Sequence, residues 1–216
     1  MSIKTIVLAS NNAGKINEIK LLLSPFGVEI KSLKDLGLGD PIENGKDFIE
    51  NSLIKAEYAF EKTGLPSLAD DSGFCIDSLN NFPGLFSSRF GSACRKLQND
   101  LLGQNIDIKT SFYGEDSPCF KIINNMIGED KKAHFTTCIS FVYKNDDEIK
   151  KEVFEGIVKG DFIYPPRGKE GFGYDPCFMP NGYDKTFAEM GMEAKNKISH
   201  RSIALAKFVE YFKKIK

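Results

Sequence analysis

An apolar run that ends on two adjacent carboxylates constrains this chain more than any other feature. Leu65, Leu68 and Ala69 lead into Asp70-Asp71-Ser72-Gly73, and Phe74-Cys75-Ile76 resumes the apolar character before Asp77. The pattern predicts a short buried strand that stops at the carboxylates, a turn at Ser72-Gly73 and a second strand from Phe74. Side chains alternate across a strand, so Asp70 and Asp71 are expected to face opposite sides and do different work. A strand end that presents acidic groups into a cleft suits a divalent cation with hard oxygen ligands. A plain surface turn uses the same residue types, so the rest of the chain must decide.

Composition removes several alternatives. Lys+Arg 29 against Asp+Glu 30 gives a formal net charge of -1, which leaves no electrostatic footprint for nucleic acid or an anionic membrane. No apolar run is long enough to span a bilayer, and Met1-Ser2-Ile3-Lys4 leads into a strand rather than a signal peptide. The cysteines (75, 94, 119, 138 and 177) are scattered and form no C-x-x-C pair, which favours reduced thiols in the cytoplasm over disulfides or zinc. With only His134 and His200 present, an oxygen-ligated ion is the metal that the composition leaves open.

Thr5-Ile6-Val7-Leu8-Ala9 reads as a buried strand, followed by Ser10-Asn11-Asn12-Ala13-Gly14-Lys15 and a helix from about Lys15 to Leu23. Strand, polar-glycine turn and helix together aim free backbone N–H groups at an anion, and Lys15 adds positive charge. It is not a P-loop, because Ala9 and Ile16 stand where that motif needs glycine and Ser/Thr. A simple strand-to-helix connection is the competing reading.

Val28-Glu29-Ile30 predicts a second strand. Asp47 is placed to cap a helix to about Thr63, with Ile49, Leu53, Ala56 and Phe60 as its buried stripe. Glu43 precedes that helix; Glu50 and Lys55 read as a solvated charge set, and Asn51 as a weak site candidate. Gly91–Phe112 is polar and aperiodic, an excursion with a short helix around Lys96–Leu102. Ser117-Pro118 opens a further helix with Phe120, Ile123 and Ile127 inward. Residues 134–143 and 153–158 have strand composition, and Asn145-Asp146-Asp147-Glu148 reads as the hairpin turn between them.

A second dense constellation lies in the C-terminal third: Gly171-Phe172-Gly173-Tyr174-Asp175-Pro176, Lys185-Thr186-Phe187-Ala188-Glu189-Met190, and Lys195 to Arg201. The glycines are no dinucleotide fingerprint, since Pro176 stands at the third glycine position. Glycine alternating with Phe172 and Tyr174 suits a loop that lays an aromatic face against a flat ligand. Core packing is the plainer use of the two rings, and a solvated helix start is the plainer use of Lys195, His200 and Arg201. The last helix turns Leu205, Phe208, Val209 and Phe212 inward.

Taken together, these constellations resemble the inosine triphosphate pyrophosphatase family. The matching pieces are Ser10-Asn11-Asn12-x-Gly14-Lys15-x-x-Glu18, Ala69 to Gly73 with Pro83-Gly84, Gly171 to Pro176, Thr186-Phe187-Ala188-Glu189 and Ser199-His200-Arg201. The resemblance covers nearly the whole chain and departs mainly at 91–112, which looks like an insertion in a single domain spanning 1–216.

The resemblance implies an elongated α/β fold with a central mixed sheet, two lobes with an active-site cleft between them, and a cytoplasmic homodimer. It further implies hydrolysis of ITP, dITP and XTP to the monophosphate and pyrophosphate with Mg2+. On it, Ser10, Asn11, Asn12, Ala13, Gly14 and Lys15 would hold the triphosphate, and Ser72 would touch the substrate. Asp71 would be general base and metal ligand, with Glu43 the second ligand. Phe172, Gly173, Tyr174, Asp175, Lys195, His200 and Arg201 would hold the base. Two rivals stay open: a pyrophosphatase for other modified nucleotides, and a non-catalytic nucleotide sensor. A sensor has no need of Asp71 with Glu43.

Overall fold

The computed structural model describes residues 3–10, 13–102 and 118–215. β1 (Thr5–Leu8) is followed by α1 (Ala13–Leu23), β2 (Glu29–Ser32), α2 (Phe48–Thr63) and β3 (Ser67–Ile76). Then come α3 (Ser87–Leu102), α4 (Pro118–Met126), β4 (Lys132–Asn145) and β5 (Glu148–Phe162). β6 (Phe178–Pro180), α5 (Phe187–Met190), α6 (Met192–Ile198) and α7 (His200–Ile215) complete the order. Among the described residues six strands form one sheet, ordered β2-β1-β3-β4-β5-β6. β2 and β3 run parallel to β1, and β6 is antiparallel to β5, so the fold is α/β with a mixed sheet.

Local chemistry accounts for the element ends. The Asp47 carboxylate accepts the Glu50 N–H at 2.8 Å and caps α2, and Gly64, at φ 67°, closes it in the left-handed conformation that favours glycine. Asp146 and Asp147 make the hairpin turn between β4 and β5, with Asp146 at φ 54°.

Three expectations are corrected. No turn interrupts residues 67–76: β3 runs straight through Ser72-Gly73, and the Thr137 hydroxyl of β4 donates to the Asp71 carbonyl at 3.1 Å. The buried positions of α2 are Asn51, Ser52, Lys55, Ala56 and Ala59, whereas Ile49, Leu53 and Phe60 are half-buried. Small residues let the helix sit close to its neighbours, and the polar ones have partners. One such contact joins Ser52 to Ser140, oxygen to oxygen at 2.7 Å. Third, the helix expected near Lys96 begins at Ser87; residues 103–112 of the proposed insertion lie outside those described.

The chain divides into two compact units, one of residues 1–71, 137–156 and 203–216, the other of 72–136 and 157–202. In the first, Ile6, Leu8 and Leu68 share one apolar cluster with Ile19, Phe141, Phe208 and Phe212. Val7, Ala9 and Ala69 share another with Ala56 and Ala59 of α2. Successive residues of β1 and β3 thus fall into different clusters, as strand alternation requires. In the second unit, Phe74 is fully buried, stacked on Tyr174 at 4.8 Å and packed on Phe135 at 5.1 Å between ring centroids.

Phe74→Ala should therefore destabilise the protein by about 3–5 kcal/mol, the usual cost of emptying a buried aromatic position. Ile42→Ala, at a side chain 83% exposed, should stay within about 0.5 kcal/mol. Urea denaturation of both variants checks the contrast; similar midpoints would mean that Phe74 is not a core anchor.

Candidate active site

In the first unit the site grows from the alternation of β3. Asp70 follows Leu68 on one face, and its carboxylate pairs with Lys15 of α1 at 2.7 Å while only 2% of the side chain is exposed. Asp71 follows Ala69 on the other face, toward α2, where Lys55 Nζ lies 2.8 Å from Oδ1. The same nitrogen is 3.2 Å from Glu43 Oε1, so both expected metal ligands reach one point. Asn51, one turn before Lys55, donates from Nδ2 to Asp71 Oδ2 at 3.3 Å and accepts the Gly45 N–H at 2.8 Å. Helix α2 therefore addresses both oxygens of Asp71 from one face.

Charge and burial compete here. Burial, the largest influence, raises the Asp71 carboxyl above its usual range; Lys55 offsets part of this, while Glu43 and Asp70 add to it. Burial alone would lower the Lys55 ammonium, but Asp71, Asp70 and Glu43 outweigh it and raise its pKa, so it stays cationic. A raised carboxyl is a better proton acceptor than an exposed aspartate. The donor set is hard oxygen, from two carboxylates that already share a cation. That chemistry fits Mg2+, which commonly takes one or two protein carboxylates together with substrate phosphates.

Sequence reasoning missed Lys55, reading it as solvated with Glu50. Glu50 instead pairs with Lys46 at 3.0 Å on the exposed side. The available signal was Asn51 and Lys55, four apart among the small residues Ser52, Ala56 and Ala59, which is polar character on an inward face. Of the loop after β1, Ser10 is half-buried and Ala13 and Gly14 open α1, while Asn11 and Asn12 lie outside the described residues. Ser72 follows Asp71 in β3 and is half-buried.

The second unit brings most of the base-site candidates together. Asp175 Oδ2 accepts from Lys195 Nζ at 2.6 Å and from the Phe172 N–H at 2.8 Å. Burial pushes the Asp175 carboxyl up, and Lys195 offsets only part of it. Gly171, at φ 80°, has no room for a side chain: a Cβ would stand 2.2 Å from Asp175 Oδ2. The turn leaves the Phe172 ring 41% exposed, with Lys195 Nζ 4.3 Å and Arg201 Cζ 5.9 Å from its centroid. Both distances suit cation–π attraction. His200 lies flat on Phe135, 4.8 Å between centroids at 8°.

Tyr174 is used differently from the expectation that its ring holds a base. The ring is buried on Phe74, and its hydroxyl donates to the Ser87 carbonyl at 2.8 Å. The aromatic pair thus splits, Tyr174 to the core and Phe172 to the surface. Two residues apart, they would share a face in a strand; the left-handed Gly171 (φ 80°) and Gly173 (φ 64°) put them on different sides.

Lys195→Met should destabilise by about 3–5 kcal/mol, because it leaves the Asp175 carboxylate buried without its cation. Lys195→Met with Asp175→Asn should recover most of that loss. Denaturant unfolding of the single and double variants decides it; a single variant that costs under about 1 kcal/mol would show that the pair is not coupled.

Comparison with known proteins bears out the resemblance drawn from the motifs. The chain is 43% identical over 199 residues to the dITP/XTP pyrophosphatase of Zymomonas mobilis subsp. mobilis, covering 92% of this chain and 87% of that protein. It is 38% identical over 208 residues to a protein of the same name from Thermus thermophilus, covering 96% and 91%. The Ham1 protein of Staphylococcus aureus shares the fold with a TM-score of 0.79 at 30% identity, covering 99% of this chain and 100% of that one. A HAM1 protein from Coxiella burnetii matches with a TM-score of 0.80 at 32% identity, covering 98% and 100%. The Ham1 family model matches residues 6–211, and the chain belongs to the Ham1 family.

Proposed function

We propose that this chain is a nucleoside triphosphate pyrophosphatase that hydrolyses ITP, dITP and XTP to the monophosphate and pyrophosphate, removing deaminated purines from the nucleotide pool. The observation that carries the reading is the meeting of Asp71 and Glu43 at the Lys55 ammonium, an acidic pair that a passive sensor does not need. The names of the relatives support the substrate class. They also favour it over other modified nucleotides.

The triphosphate binds at Ser10 to Lys15, at the start of α1, where Ala13 and Gly14 offer backbone N–H groups and Lys15 offers charge. Asp70 holds the Lys15 ammonium at 2.7 Å and so fixes its position. Water attacks the α-phosphorus in line; Asp71 takes its proton as the new P–O bond forms, and the bond to the β-phosphate oxygen breaks. Lys15 and Lys55, paired with Asp70 and Asp71, offset charge on the departing pyrophosphate. Asp71 and Glu43 would hold Mg2+, which supplies charge neutralisation and a more acidic water when bound. Ser72 contacts the substrate beside Asp71.

The base is read by the second unit's residues. Hypoxanthine offers an acceptor at the 6-position and a donor at N1, where adenine offers the reverse. Lys195 already serves Asp175, so Arg201 and His200 are the side-chain donors for the 6-oxygen, and the exposed Phe172 ring is the stacking face. A buried polar mismatch of this kind can discriminate by up to about 10⁴–10⁵. GTP shares the 6-oxygen, so its 2-amino group is refused by backbone near Phe172–Asp175. The enzyme acts as a cytoplasmic homodimer, and 91–112 is an insertion that carries no catalytic group.

The test is a panel of ITP, XTP, dITP, ATP and GTP with Mg2+, separating pyrophosphate from phosphate release. Release of phosphate alone sinks the reading. Asp71→Asn should lower kcat by about 10²–10⁴-fold. Asp70→Asn, which acts through Lys15, should raise KM more than it lowers kcat. The roles are reversed if Asp70→Asn proves the inactive variant.

Arg201→Ala should narrow the ITP-over-ATP ratio in kcat/KM as well as slow ITP. Equal losses on both substrates would mean that Arg201 does not touch the base edge.

A further inference from the structure

Asn51 is a polar side chain only 2% exposed, and both ends of its amide are engaged by the parts that carry the proposed cation ligands. Its oxygen accepts the N–H of Gly45, two residues after Glu43, at 2.8 Å; its nitrogen donates to Asp71 Oδ2 at 3.3 Å. We infer that Asn51 is a positioning residue that ties the Glu43-bearing loop to Asp71 and so pre-forms the divalent-cation site. The inference rests on the reading of Asp71 and Glu43 as cation ligands.

The side-chain chemistry leaves few substitutes. An amide has a donor and an acceptor on one planar group. Aspartate would keep the acceptor for Gly45 but set a negative charge against Asp71, and leucine would strand both partners. Asn51 is also neutral. Lys55 grips the same carboxylate as a point charge, and a divalent ion would compete with it for Asp71 and Glu43. Asn51 adds no charge and can keep its hold while the cation exchanges. Its backbone is fixed as well, since the Asn51 N–H donates to the Asp47 carbonyl at 3.1 Å, within the first turn that Asp47 caps.

Gly45 shows how closely the loop is drawn in. A Cβ there would stand 2.8 Å from the backbone nitrogen and Oδ1 of Asn51 and from Cβ of Glu50. A side chain at this position would push the loop off the amide. Gly45→Ala is therefore an independent probe of the same link.

The experiment titrates Mn2+ alone against the wild type, Asn51→Ala and Gly45→Ala by electron paramagnetic resonance, with thermal melts as the folding control. Partners that orient metal ligands typically contribute about 10–100-fold in affinity, and Asn51→Ala should weaken Mn2+ binding by a factor in that range. Gly45→Ala should shift it in the same direction. With ITP, the Mg2+ concentration for half-maximal pyrophosphate release should rise in both variants by more than KM for ITP at saturating Mg2+. Unchanged Mn2+ affinity in a folded Asn51→Ala overturns the inference, as does a wild type that binds no Mn2+. If Asn51→Ala does not fold, Gly45→Ala decides by the same criterion. The Mn2+ titration contains no nucleotide, so a wild type that releases phosphate from ITP would defeat the enzymatic reading while the metal data still judge Asn51.

Discussion

Two neighbouring carboxylates on one strand, each needing its own cation, set the constraint on which the first unit depends. A buried charge is tolerated when it is paired, and leaving it alone is expensive. Because Asp70 and Asp71 face opposite ways, a single lysine cannot serve both. Lys15 of α1 serves Asp70 and Lys55 of α2 serves Asp71. The apolar neighbours obey the same rule: Leu68 packs with the α1 cluster and Ala69 with the α2 cluster. A slip of one residue in β3 would put both carboxylates before the wrong lysine and both apolar residues in the wrong cluster. Charge pairing and packing therefore select one register.

The two units also differ in the sign of their local charge. Asp70, Asp71 and Glu43 stand against Lys15 and Lys55, leaving one negative charge more than positive. Lys195 and Arg201 stand near Asp175 and Phe172, leaving one positive charge more than negative. Net negative charge attracts cations, and net positive charge attracts electron-rich groups. One lysine in each unit is buried against an aspartate, yet their surroundings differ: Lys55 is shared among carboxylates, while Lys195 lies over an aromatic ring. The first environment suits ion exchange and the second suits a fixed surface.

Strands and helices were legible where periodicity and end signals agreed. Asp47 capping α2, Pro118 opening α4 and Asp146-Asp147 turning the β4–β5 hairpin are local devices, readable from neighbouring residues. The acidic stretch was misread as a turn because Asp, Ser and Gly are turn formers when nothing neutralises or covers them. Here Lys15 and Lys55 neutralise the charges, and the Thr137 hydroxyl of β4 bonds to the Asp71 carbonyl where the strand was expected to stop. Lys55 was misread for the same reason. Its partners are distant in sequence, and a lysine on a helix is ordinarily solvated. Tyr174 and Phe172 could not be told apart by type, only by which side of a two-glycine turn each occupies.

The electrostatics of the acidic pair also decide between an enzyme and a sensor. A triphosphate brought near Asp71 and Glu43 meets like charge, and Lys55 is already engaged by both carboxylates. A protein built only to hold nucleotide would gain affinity by losing those acids, since each one opposes the ligand. They become useful if they hold a divalent ion, which would offset the charge of the phosphates. An acidic pair that weakens simple binding and strengthens hydrolysis belongs to a catalyst.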